Sequence, residues 1–500
     1  MTINLQFILK LIGIHSMSDL HYLTAAQIAQ KIRDKEISCL EILELYFERI
    51  KKYNPSLNAI ILMDESGAKS RAIDADKALS SGEVWGPLHG VPMTIKESFD
   101  VKGQPSTWGI PAYKDNMAKD DSLAVKRMKK AGVTLFGKTN VPFSLSDWQS
   151  FNELYGTTNN PWDLSLSPGG SSGGSAAALT SGMTGIETGS DIGASIRNPA
   201  HYCGVFGHKP TMGILPTNGH SLPGNNVPID ISVIGPLARG AEDLRIATLA
   251  MAGVTGKDTT GLTLKLPKTE KKNLNDFKVG VLLNDPNCIQ DSELTDQLHS
   301  AINQLSNLGL NVNDKIKPVN DTKRSHLVYL MLLRAATSSR LTSEVINEHR
   351  ERAIKSEPDD YSYKTIVDRA VTMSHREWLV WNNERELIRR EWESFFEEYD
   401  LLLTPVAAST AFPHDQEGDR ADRTIPINNG EESTVDQLFW AGLPSLVYLP
   451  ASVAPVGFTQ SGLPCGIQII GPHMKDLTTI QFAKLIETHL GGFVPPKGYV

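Results

Sequence analysis

Cysteine is scarce in this chain. Its four residues among 500, Cys39, Cys203, Cys288 and Cys465, lie too far apart for a zinc ribbon, a redox pair or a disulfide framework. That usage suits a reducing compartment, and the expectation is a cytoplasmic protein. Long apolar runs are lacking too. The stretch Phe7 to Ile14 is broken by Lys10 and followed by no small-residue cleavage site, which fits neither an export signal nor a spanning helix. Residues 1–22 read as an N-terminal extension to which no role is assigned. A membrane-surface helix in Met1 to Ser16 is the minor reading, and no stable membrane anchor is expected. Basic excess is absent: 49 Lys and Arg against 57 Asp and Glu leave a net charge of −8, which repels a polyanion and argues against a nucleic-acid partner. Metal and phosphate signatures fail as well. There is no His-Glu-x-x-His, and Gly174 is followed by Ser175 where a phosphate loop requires lysine. Neither a cofactor nor a metal is expected.

What is present is a globular composition, with 40% hydrophobic and 21% charged residues, long enough for several domains or one large enzyme unit. From Leu23 to Asn54 the pattern predicts two helices. Ser38 with Glu41 forms a capping box, and Leu40, Leu43, Tyr46 and Ile50 share a face. Gly90 and Pro92 introduce the apolar run Val91 to Ile95, a buried strand that ends near Lys96. Ser122 to Ala131 reads as a helix, Val133 to Gly137 as a strand, and Ala176 to Met183 as a small-residue helix. Further strands are expected at Leu401 to Thr404, Leu446 to Leu449 and Ile467 to Ile470, with a long helix over Arg376 to Phe396. The alternation predicts an α/β fold: one unit built on a central mixed, twisted sheet with helices on both faces, interrupted by a helical insertion at about 257–398.

The densest chemical signal lies in Pro168 to Ser175 and in Gly189 to Arg197, where glycines beside serines let main-chain N–H groups approach an anion or oxyanion. A flexible linker is the bland reading. It fits poorly between the Asn160-Pro161-Trp162 turn and the Ala176 to Ala178 run. Gly170-Ser171-Ser172-Gly173-Gly174 satisfies the nucleophile-elbow spacing with Ser172 at its centre, weakly, because glycine and serine fill every slot. Taken alone, Lys96 would be a solvated rim residue, and His201 or His208 would each invite a Ser-His-Asp triad.

Three ordered motifs resolve this. Gly90-Val91-Pro92-Met93-Thr94-Ile95-Lys96-Glu97, the run Ser167 to Ala178, and Gly189 to Ala200 continuing to Thr211 together make the chain resemble the amidase signature family of serine hydrolases. The likeness spans roughly Leu23 to Gly253 and Tyr399 to Leu485, within an amidase unit of residues 23–500. It implies nucleophile Ser195, a bridging Ser171 in a cis peptide with Gly170, and base Lys96. The serine offset, 195 − 171 = 24, agrees with the family spacing. It further implies an oxyanion hole from the N–H groups of Ile192, Gly193, Ala194 and Ser195, a buried Asp191–Arg197 pair, and supporting positions at Gly170, Ser172 and Ser190. His201 and His208 then become structural. A lysine base must lose about 2 to 3 pKa units, roughly 3 to 4 kcal/mol, which burial can supply.

Two departures carry expectations of their own. Ala194 stands where the family has a second glycine, so a positive φ there would be strained. Glu97-Ser98 replaces the Asp-Asn common in the aminoacyl-tRNA amidotransferase branch, and Asp436 to Pro444 leans the same way, toward stand-alone amidases. The resemblance thus implies an amidohydrolase cleaving a linear carboxylic amide through a serine-linked acyl-enzyme, with a small-molecule amide as partner and room for a homodimer. The alternative is the glutaminase-type component of a tRNA-dependent amidotransferase. Phe143, Trp148, Phe151, Tyr155 and Trp440 are candidates for either an acyl pocket or the core.

Overall fold

The computed structural model describes residues 17–499; the surface-helix reading of Met1 to Ser16 lies outside the described residues. The strands, in chain order, are β1 (Ile60–Met63), β2 (Pro92–Lys96), β3 (Thr134–Thr139), β4 (Phe151–Asn152), β5 (Gly156–Thr157), β6 (Glu187–Asp191), β7 (Phe206–Lys209), β8 (Val233–Ala238), β9 (Lys278–Val281), β10 (Asn311–Asn313), β11 (Leu401–Pro405), β12 (Thr424–Ile427), β13 (Gly430–Ser433), β14 (Ala451–Phe458) and β15 (Pro464–Ile470). Eight of them form a mixed sheet ordered β10-β9-β11-β15-β14-β7-β8-β6, and β1-β3-β2 form a small one. A parallel bridge between Met93 and Ile186 joins the two at the β6 edge. That junction brings the ends of β2 and β6 side by side.

Alternation along β11 shows why both faces are covered. Leu401 and Leu403 pack into a core with the helices Ala25–Arg33, Cys39–Leu57, Ala241–Met251 and Asp476–Leu490. Leu402 points the other way, into a core with Thr322–Thr337, His375–Glu398 and Leu438–Leu446. These helices bury apolar stripes against each face, worth about 25 cal/mol per Å² removed from water. No described helix is long and apolar enough to cross a membrane.

Local signals explain most boundaries. Ser38 and Glu41 cap the helix Cys39–Leu57 reciprocally, and Ser374 with Glu377 does the same for His375–Glu398. In the helix Gly173–Thr180 the glycine at 174 is required by close approach: a Cβ there would lie 2.4 Å from the Asn140 nitrogen. The strand expected at Leu446 to Leu449 is wrong. Those residues end the fully buried helix Leu438–Leu446 and the turn after it, and the strand begins at Ala451. A continuous apolar run has no periodicity to separate buried helix from buried strand. The segment 257–398 is mostly helical, and it also sends β9 and β10 into the large sheet.

Candidate active site

Lys96 closes β2, a strand whose five residues are all buried, and its side chain has no exposure to solvent. Its Nζ donates to Ser171 Oγ at 2.6 Å and to Ser190 Oγ at 3.0 Å. Burial pushes the amine well below the ordinary lysine value, against the attraction of Asp191, and Arg340 pushes it further down. Glu187 and Glu97 add weaker attractions than Asp191. Burial raises the Glu187 carboxyl to about 8, and Thr94 donates a hydrogen bond to it. The site therefore holds an amine that gives up its proton easily.

Ser171 lies in the loop before the helix Gly173–Thr180, and the Gly170–Ser171 peptide is cis. The neighbouring Ser172 N–H donates to Ser195 O at 3.1 Å, tying this loop to the turn between β6 and the helix Arg197–Cys203. Ser172 Oγ itself is buried without a partner among the described residues. Ser195 is 5% exposed, and its hydroxyl makes no hydrogen bond among the described residues. No hydrogen bond joins it to Ser171 Oγ.

The turn Ile192 to Ser195 is pinned from several sides. Asp191 and Arg197 pair at 2.8 Å with both side chains fully buried. Burial alone would raise the Asp191 pKa, but the Arg197 charge and hydrogen bonds override it and hold the carboxyl below its usual value. Arg197 also donates to Gln468 Oε1, Ser445 Oγ and Ala441 O. Ala194 sits at φ 70°, the left-handed region, where an L side chain costs about 1 to 2 kcal/mol. Its N–H donates to Asp191 Oδ1 at 3.0 Å. That corrects the expectation of a free Ala194 N–H in an oxyanion hole: the carboxylate that braces the turn has taken it. The N–H groups of Ile192, Gly193 and Ser195 have no acceptor among the described residues.

Two side chains hold the turn's carbonyls. Trp148 Nε1 donates to Gly193 O at 2.8 Å, and Tyr329, from the helix Thr322–Thr337, donates to Ile192 O at 3.0 Å. Of the aromatic candidates only Trp148 touches this turn by a hydrogen bond; Phe143 is 53% exposed and Trp440 is buried in the core. Tyr329 was not legible, because nothing in a helical pattern marks which hydroxyl will reach a loop 137 residues away. The histidines lie elsewhere. His201 receives the Gly466 N–H at 2.7 Å and meets Ser409 O, and His208 sits between Ser452 and Asp476. Among the described residues no group of three His, Cys, Asp or Glu side chains is placed to hold a metal ion.

The geometry has relatives. A model of the Amidase family matches residues 41–480. The chain is 31% identical over 482 residues to an indoleacetamide hydrolase of Bradyrhizobium diazoefficiens, covering 94% of this chain and 86% of that protein. It is 30% identical to an acylamidase of Rhodococcus erythropolis (94% and 96%) and 29% identical to a component of the glutamyl-tRNA(Gln) amidotransferase of Dehalococcoides mccartyi (93% and 97%). A solved bacterial aryl acylamidase of the amidase signature family superposes with a TM-score of 0.80 at 26% identity, over 96% of this chain and 98% of that one. Matched along nearly its whole length in both sequence and fold, the chain belongs to the amidase signature family, enzymes that act on amides.

Proposed function

We propose that this chain hydrolyses a linear carboxylic amide through an acyl-enzyme on Ser195, with Lys96 as base and Ser171 as relay. The observation that carries the reading is the buried Lys96 Nζ, 2.6 Å from Ser171 Oγ, on the loop whose next residue bonds Ser195 O. Ser195 Oγ attacks the carbonyl carbon while its proton passes through Ser171 to the neutral amine of Lys96. The carbonyl oxygen becomes an oxyanion, met by the unpaired N–H groups of Ile192, Gly193 and Ser195; such a donor is worth about 3 to 4 kcal/mol in the transition state. Collapse breaks the C–N bond, and the proton returns from Lys96 through Ser171 to the leaving ammonia or amine. Water then attacks the ester by the same route and frees Ser195 and the carboxylate.

The test is direct. A fluorophosphonate should label Ser195, and Ser195→Ala should lose labelling and lower kcat by about 10⁴-fold or more. Unimpaired turnover in that variant rejects the nucleophile.

A second reading has a specific support: relatives named as components of glutamyl-tRNA(Gln) amidotransferases match almost end to end. Under it the same serine would release ammonia from glutamine for use by other polypeptides of the complex. Purified alone, a stand-alone amidase turns over simple aliphatic amides. A glutaminase component would leave them intact and gain glutaminase activity only with its partners.

A further inference from the structure

The acids that act on the Lys96 amine are Asp191, Glu187 and Glu97, and they differ in how their charge is held. Asp191 gives its oxygens to the Arg197 guanidinium and to the N–H groups of Ala194 and Ile196. Glu97 accepts the main-chain N–H groups of Thr107 at 2.5 Å and Trp108 at 2.8 Å, one on each oxygen. Glu187 is fully buried and receives the Thr94 hydroxyl on one oxygen, while its Oε2 has no partner among the described residues. Donors lock the first two carboxylates in their charged form. The third is free to change charge.

Strand geometry turns that carboxyl toward the amine. The bridge between Met93 and Ile186 sets Thr94 beside Glu187, and Lys96 follows two residues after Thr94, on the same face of β2 and about 7 Å along it. The other polar neighbours of Glu187 are the hydroxyls of Thr139 and Ser175, which bond each other at 2.9 Å. Neither β8, which pairs with β6, nor the helix Gly173–Thr180 carries a charged residue. The remaining charged or titratable groups near the amine are held elsewhere. Arg340 donates to Ser144 O, and Lys138, on β3, donates to Pro105 O and faces Glu97 and Asp100. His220, held well below the ordinary imidazole value by burial, meets Ser98 Oγ.

Resting on the reading of Lys96 as base, we propose that Glu187 is a positioning residue for it: its carboxylate is the counter-charge of the Lys96 ammonium and sets the pH below which the amine can no longer take the serine proton. Glu187 acts only through Lys96. A buried charge at that separation is felt strongly, because little water screens it. When Lys96 takes the Ser195 proton during acylation, the ammonium forms out of contact with solvent, and a carboxylate one step behind it favours the transfer. The same attraction keeps the resting amine protonated to a higher pH. Glutamine in place of Glu187 retains the shape and an acceptor for Thr94 but carries no charge, so the amine should lose its proton more readily.

The rate of fluorophosphonate labelling of Ser195 in the full chain, measured against pH, tests this. Its fall on the acid side reports protonation of the base in the free enzyme. In Glu187→Gln that limb should move down by about one pH unit, so that the rate on the acid side, relative to its own maximum, rises about tenfold. Thr94→Val, which withdraws a donor from the carboxylate, should move the limb the same way by less. A limb in Glu187→Gln that stays in place or moves up overturns the proposal, even where the maximum falls, since a merely structural role changes the rate without changing its pH dependence. If Glu187→Gln misfolds by circular dichroism, Thr94→Val decides by the same reading. The two ideas fail separately. Undiminished labelling of Lys96→Met removes the base and with it the counter-charge, whereas labelling that requires Lys96 but keeps its limb in Glu187→Gln loses the counter-charge alone.

Discussion

Burial holds the Lys96 amine well below the ordinary lysine value, and that shift leaves a mark on stability. Its folded pKa lies well below the ordinary lysine value of about 10.4, so between the two the unfolded chain binds one more proton than the folded one. Stability therefore rises with pH in that window, by about 1.4 kcal/mol per pH unit from this group. Lys96→Met removes the term. The difference in unfolding free energy between variant and wild type should accordingly fall with that slope from pH 8 to pH 10 in urea titrations; the loss of two hydrogen bonds shifts the line without tilting it. A flat difference would mean an amine that remains charged in the folded protein. Ala194 offers a second prediction at this scale. Its φ of 70° favours glycine, so Ala194→Gly should stabilise the fold by about 0.5 to 1 kcal/mol, checked by the shift in urea midpoint. The family resemblance raised this strain as a condition, because the motif uses glycine here, and the φ of 70° meets that condition. The fate of its N–H did not follow, because which acceptor a turn presents to an amide depends on the path of the chain, here the fold of Asp191 back under the helix Arg197–Cys203.

At the scale of elements, β2 was readable as a buried apolar run ending near Lys96, whereas β6, Glu187-Thr188-Gly189-Ser190-Asp191, carries no apolar run to mark it as a strand; their meeting at Met93 and Ile186 explains how Lys96 and Ser190 come within 3.0 Å. The helix Thr322–Thr337 contributes what no motif announced. A peptide is planar, so the hydroxyl of Tyr329 that grips Ile192 O also aims the Gly193 N–H on the opposite side of the same peptide unit. Tyr329 is fully buried, and Gly442 leaves room for its ring, where a Cβ would come within 2.6 Å. Tyr329→Phe keeps that packing and removes one hydrogen bond. It should cost about 1 kcal/mol of stability and lower kcat about tenfold with KM little changed, because the donor is needed in the transition state more than in the bound amide. Equal losses in kcat and affinity would make Tyr329 a general packing residue. The misread strand at Leu446 to Leu449 belongs to this scale too: an apolar segment buried on every side carries no face from which to infer its period.

Across the whole molecule, segments distant in sequence close on one another through buried arginines. Arg239 donates to Leu23 O, Leu179 O and Thr184 O, linking the start of the described chain to the end of the helix that follows Ser171. Arg49, in the helix Cys39–Leu57, donates to Ser181 O at 2.7 Å and reaches both the Tyr22 hydroxyl and the Tyr499 carbonyl. Its guanidinium also stacks 4.7 Å over the rings of Tyr22 and Tyr53. One side chain thus joins the beginning and end of the described chain to the helix Gly173–Thr180. Such charged hydrogen bonds are worth about 1.5 to 3 kcal/mol each, and an abandoned buried carbonyl costs about as much again. Arg49→Met retains most of the apolar stem while stripping every donor. It should lower the stability by about 2 to 4 kcal/mol, read as a lower urea midpoint at unchanged slope. A change below about 0.5 kcal/mol, the size ordinary for a surface substitution, would show that packing among Tyr22, Tyr53 and Tyr499 closes the fold without the cation.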